Sequence, residues 1–183
     1  AKGASVLKFG QVIGYAPEAI TSLSYADADA DADTASTSGA NARERDTGAP
    51  PPPRYTAEAT WDGVVAAAEQ LEDQLRAEWR HAPGQAVDLV GHSLGGVVIA
   101  YYLLFLHDPA DPGLPPVDHV VTIASPLQGA DLADVAVAGR DDPVGRRLLH
   151  EAHERFGLPP PTSATLDDLA VGSPLLRALA ARW

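Results

Sequence analysis

The stretch Gly91-His92-Ser93-Leu94-Gly95-Gly96 narrows the choice of folds more than any other part of this chain. Before it stands Ala86-Val87-Asp88-Leu89-Val90, a short apolar run that reads as a buried strand. After it, Val97 to Leu106 is apolar on nearly every side, as a helix enclosed beside a sheet would be. Between the two, the pattern G-x-S-x-G requires a tight strand-to-helix bend that holds the serine at strained backbone angles with its hydroxyl outward. Side chains at Gly91 and Gly95 are expected to collide in such a bend. Three fixed residues also recur by chance, so the flanking strand and helix give the pattern its weight.

A helix that starts beneath Ser93 turns its free N–H groups and positive dipole end toward it, which favours negative charge developing on a carbonyl oxygen. Ser93 is therefore the candidate nucleophile and the Leu94 backbone amide the candidate oxyanion donor, with Gly91, His92, Gly95 and Gly96 forming the bend. Neighbouring side chains on a sharp turn point apart, so His92 is read as packing against or lining the site and not as the base. A competing reading makes Ser93 the cap of a tight βα turn without chemistry. Neither G-x-x-x-x-G-K-S/T nor G-x-G-x-x-G occurs here, which sets a nucleotide loop aside.

Val117 to Ala124, centred on Val120, Val121 and Ile123, predicts the next buried strand, stopped by Ser125-Pro126. Strand, helix, strand is the rhythm of a parallel sheet, and the fold class is α/β. Upstream, Trp61, Val64, Val65, Ala68, Leu71, Leu75 and Trp79 share a helical face, with Thr56 or Thr60 as cap and Glu58 and Asp62 near the positive end. Apolar spacing predicts a short helix over 4–13, and β-formers a strand from Ala19 to Tyr25. Residues 26–54 form a low-complexity acidic and Pro-rich loop, where Asp27, Asp29, Asp31 and Asp33 alternate with alanine. Counted from Asp27 or Asp29, neither the glycine nor the glutamate that a calcium loop sets at its sixth and twelfth positions follows, and a solvated linker is expected. Residues 131–183 read as a cap-like helical segment with breaks at Pro143, Pro159 to Pro161 and Pro174, and the whole chain, 1–183, as one partial domain.

Composition removes several classes of function. The net charge of -12 argues against a basic surface for nucleic acid or anionic membrane. The chain has no cysteine, which excludes disulfides, thiolate nucleophiles and cysteine-ligated zinc. No apolar run approaches the about 20 residues of a membrane-spanning helix, so a soluble protein is expected, secreted or cytoplasmic. His150-x-x-His153 lacks the i, i+4 spacing of a zinc motif, and no metal or cofactor is expected. His119, His150 and His153 are read as structural or solvated.

Val87-Asp88-Leu89-Val90-Gly91-His92-Ser93-Leu94-Gly95-Gly96-Val97-Val98 resembles the elbow of bacterial lipases and of the related GPI-inositol-deacylase-like and triacylglycerol-lipase-like α/β-hydrolases. Thr122-Ile123-Ala124-Ser125-Pro126-Leu127-Gln128-Gly129-Ala130 is similar to the strand and Ser-Pro-x-x-Gly turn that follow the elbow helix in those enzymes. More loosely, the resemblance runs from about Ile20 to Leu179 and ends in a helical insertion that often covers the site as a cap. It implies a partial α/β-hydrolase fold and a serine hydrolase of lipase or esterase type, with Ser93 as nucleophile, no cofactor, and a small-molecule ester or lipid as substrate. The family's histidine-glycine oxyanion loop, triad acid and triad histidine have no matching positions, and Asp131 and Asp134 are not triad candidates. The resemblance thus implies a fragment, with Ala1 after the oxyanion loop and Trp183 just before the strand that leads to the acid. Little turnover is expected of these residues alone, and a chain extended past Trp183 is expected to show that strand, its Asp or Glu, and later a His. A thioesterase or acyltransferase on the same elbow, or an inactive truncated relative, stays open.

Overall fold

The computed structural model describes residues 14–16, 19–21, 58–156 and 158–183. Two units are distinguished, Ala1–Thr56 and Ala57–Trp183, and the bend at Ser93 belongs to the second. In the first, the Ala19 N–H donates to the Ala16 carbonyl at 2.9 Å. The helix expected over 4–13, most of the strand expected from Ala19 to Tyr25 and the acidic loop over 26–54 lie outside the described residues.

Helix α1 runs Val64–His81, later than a cap at Thr56 or Thr60 would start it. A 3-10 turn at Glu58–Trp61 precedes it, and Gly63 at φ 105° swings the backbone into the helix, a conformation that side chains disfavour. Glu58 and Asp62 therefore lie ahead of the first turn, and no local side chain caps it. The Val64 N–H instead donates to Asp168 Oδ2 at 2.7 Å, from far along the chain. Val64, Ala67, Ala68, Leu71 and Leu75 are buried, whereas Val65, expected on the same face, is exposed. Trp61 lies ahead of the helix, and Trp79 is half-buried with its Nε1 donating to the Pro112 carbonyl at 2.8 Å.

Strand β1 (Val87–His92) leads into helix α2 (Leu94–Tyr101), and strand β2 (Val117–Ile123) returns parallel to β1. The pairing runs from Val87 with Val117 to His92 with Ile123. Val97, Val98, Ile99 and Ala100 are buried, and α2 packs on both α1 and β1. The expected helix over Val97 to Leu106 changes character at Tyr102–Leu106, a π-helical turn closed by the His107 N–H on the Tyr102 carbonyl at 2.8 Å. Tyr102 is fully buried, and its hydroxyl lies 2.9 Å from His107 Nδ1.

Strand β2 is not the buried strand that its composition predicts. Val120 and Val121 are 40% and 36% exposed. Among the described residues β1 is the one strand paired with β2, so valines that would be enclosed in a wider sheet are left open. The strand also stops at Ile123, since Ala124 has φ 49° and leaves the extended conformation.

The segment after β2 is helical, with α3 (Asp131–Gly139), α4 (Pro143–Phe156), α5 (Ala164–Leu169) and α6 (Pro174–Arg182). Pro143 and Pro174 open helices, where the missing N–H costs nothing. Ala133, Ala136 and Leu166 form a small core with Val137, Leu149 and Leu169 around it. The buried hydroxyls of Ser163, Thr165 and Ser173 donate to the carbonyls of Trp61 (3.0 Å), Thr60 (2.6 Å) and Asp168 (2.6 Å). Two of these bonds and the Asp168 cap tie α5 to the approach and first turn of α1.

Candidate active site

Ser93 sits between β1 and α2 with φ 55° and ψ −126°, a backbone conformation that non-glycine residues rarely adopt. Two hydrogen bonds hold it there. Its N–H donates to the Ile123 carbonyl at 2.9 Å, and its carbonyl accepts from the Gly96 N–H at 3.1 Å. The residue is exposed, and its side chain makes no capping bond to α2. Ser93 thus holds the N-cap position of α2 without the side-chain bond that a capping role would supply.

Glycine is required at the bend because two backbones touch. A Cβ on Gly91 would lie 2.6 Å from both the Cα and the N of Gly96 and 2.7 Å from the Gly95 carbonyl carbon. A Cβ on Gly96 would meet the Ser125 side chain, with Ser125 Cβ at 2.6 Å and Oγ closer still. The collision expected at Gly91 is thus matched by one at Gly96, which faces the next strand's turn. Leu94 is the first residue of α2, so its N–H has no carbonyl one turn back to bond within the helix.

His92 ends β1 opposite Ile123 and is exposed, so it does not pack into the core. Ala124 and Ser125 follow β2 where Ser93 follows β1, bringing the two turns side by side at the carboxyl ends of the strands. The Ser-Pro-Leu-Gln-Gly turn is closed by the Leu127 N–H on the Ser125 carbonyl (2.9 Å) and the Gly129 N–H on the Pro126 carbonyl (3.1 Å). Gly129, at φ 105°, lies so close to Val171 that an added Cβ would be 2.8 Å from Val171 Cα. Sequence reasoning used Ser125 as part of a motif and missed its contact with Gly96.

Residues 83–143 match a family model described as an alpha/beta hydrolase of unknown function (DUF915). The chain has a partial α/β-hydrolase fold. The match holds both strands of this hydrolase fold, α2, the whole bend around Ser93, the Ser125 turn and α3. No curated protein and no solved structure matches the chain.

Several of the histidines and aspartates singled out in the sequence have other partners, and others are simply exposed. Asp88 Oδ1 accepts the His119 N–H at 3.0 Å and lies 2.9 Å from His119 Nδ1. That pair sits five residues of strand before Ser93, about 16 Å away at the rise of an extended chain. His153 Nδ1 lies 2.6 Å from the Leu158 carbonyl and its ring meets Trp61 edge-on, while His150 is exposed on α4. Asp131 is exposed in the first turn of α3, and Asp134 Oδ1 accepts the Val171 N–H at 2.7 Å. Among the described residues, no helix is long and apolar enough to cross a membrane.

Proposed function

We propose that the protein hydrolyses carboxylic esters, of lipase or esterase type, through an acyl-enzyme on Ser93. The observation that carries this reading is an exposed serine held at φ 55° between a parallel strand and a helix start, with its side chain not engaged as a cap. The Ser93 oxygen attacks the ester carbonyl carbon as its proton passes to a base, and the oxyanion that forms accepts a hydrogen bond from the Leu94 N–H. Collapse of that intermediate expels the alcohol and leaves the acyl group on Ser93. Water then attacks the acyl carbonyl, releasing the acid and restoring the serine hydroxyl. Base and orienting acid are assigned to none of the described residues.

The helices over 131–183 are the candidate cap. Their tie to the site region runs through the Ala130 N–H, which donates to the Leu169 carbonyl at 2.9 Å just after the Ser125 turn. A cap able to move over the nucleophile would suit acyl chains better than charged substrates. Turnover of short and long p-nitrophenyl esters by the full-length protein tests the reading. Ser93→Ala is expected to abolish it, and a variant that keeps wild-type turnover would place the nucleophile elsewhere. Thioesters hydrolysed in preference to the matching oxygen esters would redirect the substrate assignment and leave Ser93 in its role.

A further inference from the structure

Among the described residues, the non-glycine residues with positive φ are Ser93 at 55° and Ala124 at 49°. The register of His92 with Ile123 makes them neighbours at the carboxyl ends of the two strands. Strained conformations of this kind persist only where the surroundings over-determine them. For Ser93 the surroundings are on its neighbours' backbones: the Ile123 carbonyl holds its N–H and the Gly96 N–H holds its carbonyl.

Ser125 touches both of those anchors. Its side chain fills the space that a Cβ on Gly96 would need, with Ser125 Cβ 2.6 Å from that position. Its hydroxyl reaches the Ile123 carbonyl at 3.4 Å, so one carbonyl faces both the Ser93 amide and the Ser125 hydroxyl. Ser125 is itself held in place. Pro126 biases it toward extended backbone, and its own carbonyl is bonded by the Leu127 N–H.

We propose that Ser125 is a positioning residue for Ser93. Seated on Gly96, its side chain fixes how closely the first turn of α2 approaches the end of β2. That spacing sets the directions of the Ser93 hydroxyl and the Leu94 amide. The proposal rests on the reading of Ser93 as nucleophile. The slot beside Gly96 is filled from the Ser125 side and bounded by Thr122, whose Cβ would lie 3.1 Å from a Cβ on residue 96, so such a Cβ fills the space Ser125 vacates while pressing on Thr122.

This complementarity defines the experiment. The rate of fluorophosphonate labelling at Ser93 is measured on the full-length wild type, Gly96→Ala, Ser125→Gly and the double variant, with thermal midpoints and with kcat and KM for an ester. Each single change is expected to lower the labelling rate and kcat by about tenfold or more, with KM moving less than about twofold, because the nucleophile shifts while the binding surface does not. In the double variant the clash with Ser125 is gone and the slot is refilled against Thr122, and the labelling rate rises well above that of either single variant. Losses that simply accumulate in the double variant would overturn the proposal. So would a drop in thermal midpoint with an unchanged labelling rate, which marks Ser125 as a packing residue only. If Gly96→Ala does not fold, Ser125→Gly decides alone, and wild-type labelling and kcat in it overturn the proposal. A wild type that is folded but unlabelled at Ser93 removes the nucleophile reading, and this proposal with it.

Discussion

Tyr102 shows how one side chain can carry a conformational irregularity and a pH dependence together. Its hydroxyl is buried where α2 gives way to the π-helical turn and lies 2.9 Å from His107 Nδ1. Burial, reinforced by the nearby Glu72 carboxylate, pushes the phenol up from 10.0 to about 12. A raised folded-state value means that the neutral phenol's contribution to stability is complete below pH 10 and is lost as pH rises toward 12. Tyr102→Phe is expected to cost about 1 kcal/mol at neutral pH through the lost hydrogen bond. Its stability should also fall less than the wild type's between pH 10 and 12, as read by urea denaturation across that window. Equal slopes in the two proteins would show that Tyr102 does not control the alkaline limb. Neither the π-turn nor this pairing is marked in the sequence, because Tyr102-Leu103-Leu104-Phe105-Leu106 reads as uniformly apolar helix.

Helix α1 owes its first hydrogen bond to a residue that follows β2. Asp168 caps Val64, and Asp168→Ala is expected to cost about 1 kcal/mol, the usual loss for an N-cap, seen as a lower midpoint in denaturant. Burial pushes the Asp168 carboxyl up, opposed by the Val64 N–H that favours the charged form. The ionised state is thus held at a cost that protonation relieves. Asp168→Asn keeps an acceptor for the Val64 N–H and removes the charge. Relative to that variant, the wild type should gain stability as pH falls through the folded carboxyl's raised value, and identical pH profiles would refute this. The helix's apolar face was legible from the spacing of Val64, Ala68, Leu71 and Leu75, since periodicity depends on local geometry. Its start was not legible, because the cap is tertiary, although Gly63 just ahead of Val64 was a local signal. For β2 the sequence signalled a strand correctly and its burial incorrectly. Side-chain composition reports what valine prefers and not which strands stand beside Val120 and Val121.

At the scale of the molecule, the features on which the proposed chemistry rests gather, among the described residues, where the two parallel strands end. Ser93, Ala124 and Ser125 meet there, at the start of α2, which is the end of an α/β sheet where ligands bind. Ser93 and the glycines of the bend were legible because the motif encodes a local steric demand, seen in the contact of Gly91 with Gly96. The seat of Ser125 on Gly96 was not, because it joins two turns that only strand pairing brings together. The strongest single test is to treat the folded full-length protein with a fluorophosphonate and map the adduct by peptide mass spectrometry. One adduct, on the peptide containing Ser93 and absent from Ser93→Ala, is the expected result. An adduct that survives in Ser93→Ala, or a folded wild type with none at Ser93, would contradict the assignment of that serine as nucleophile.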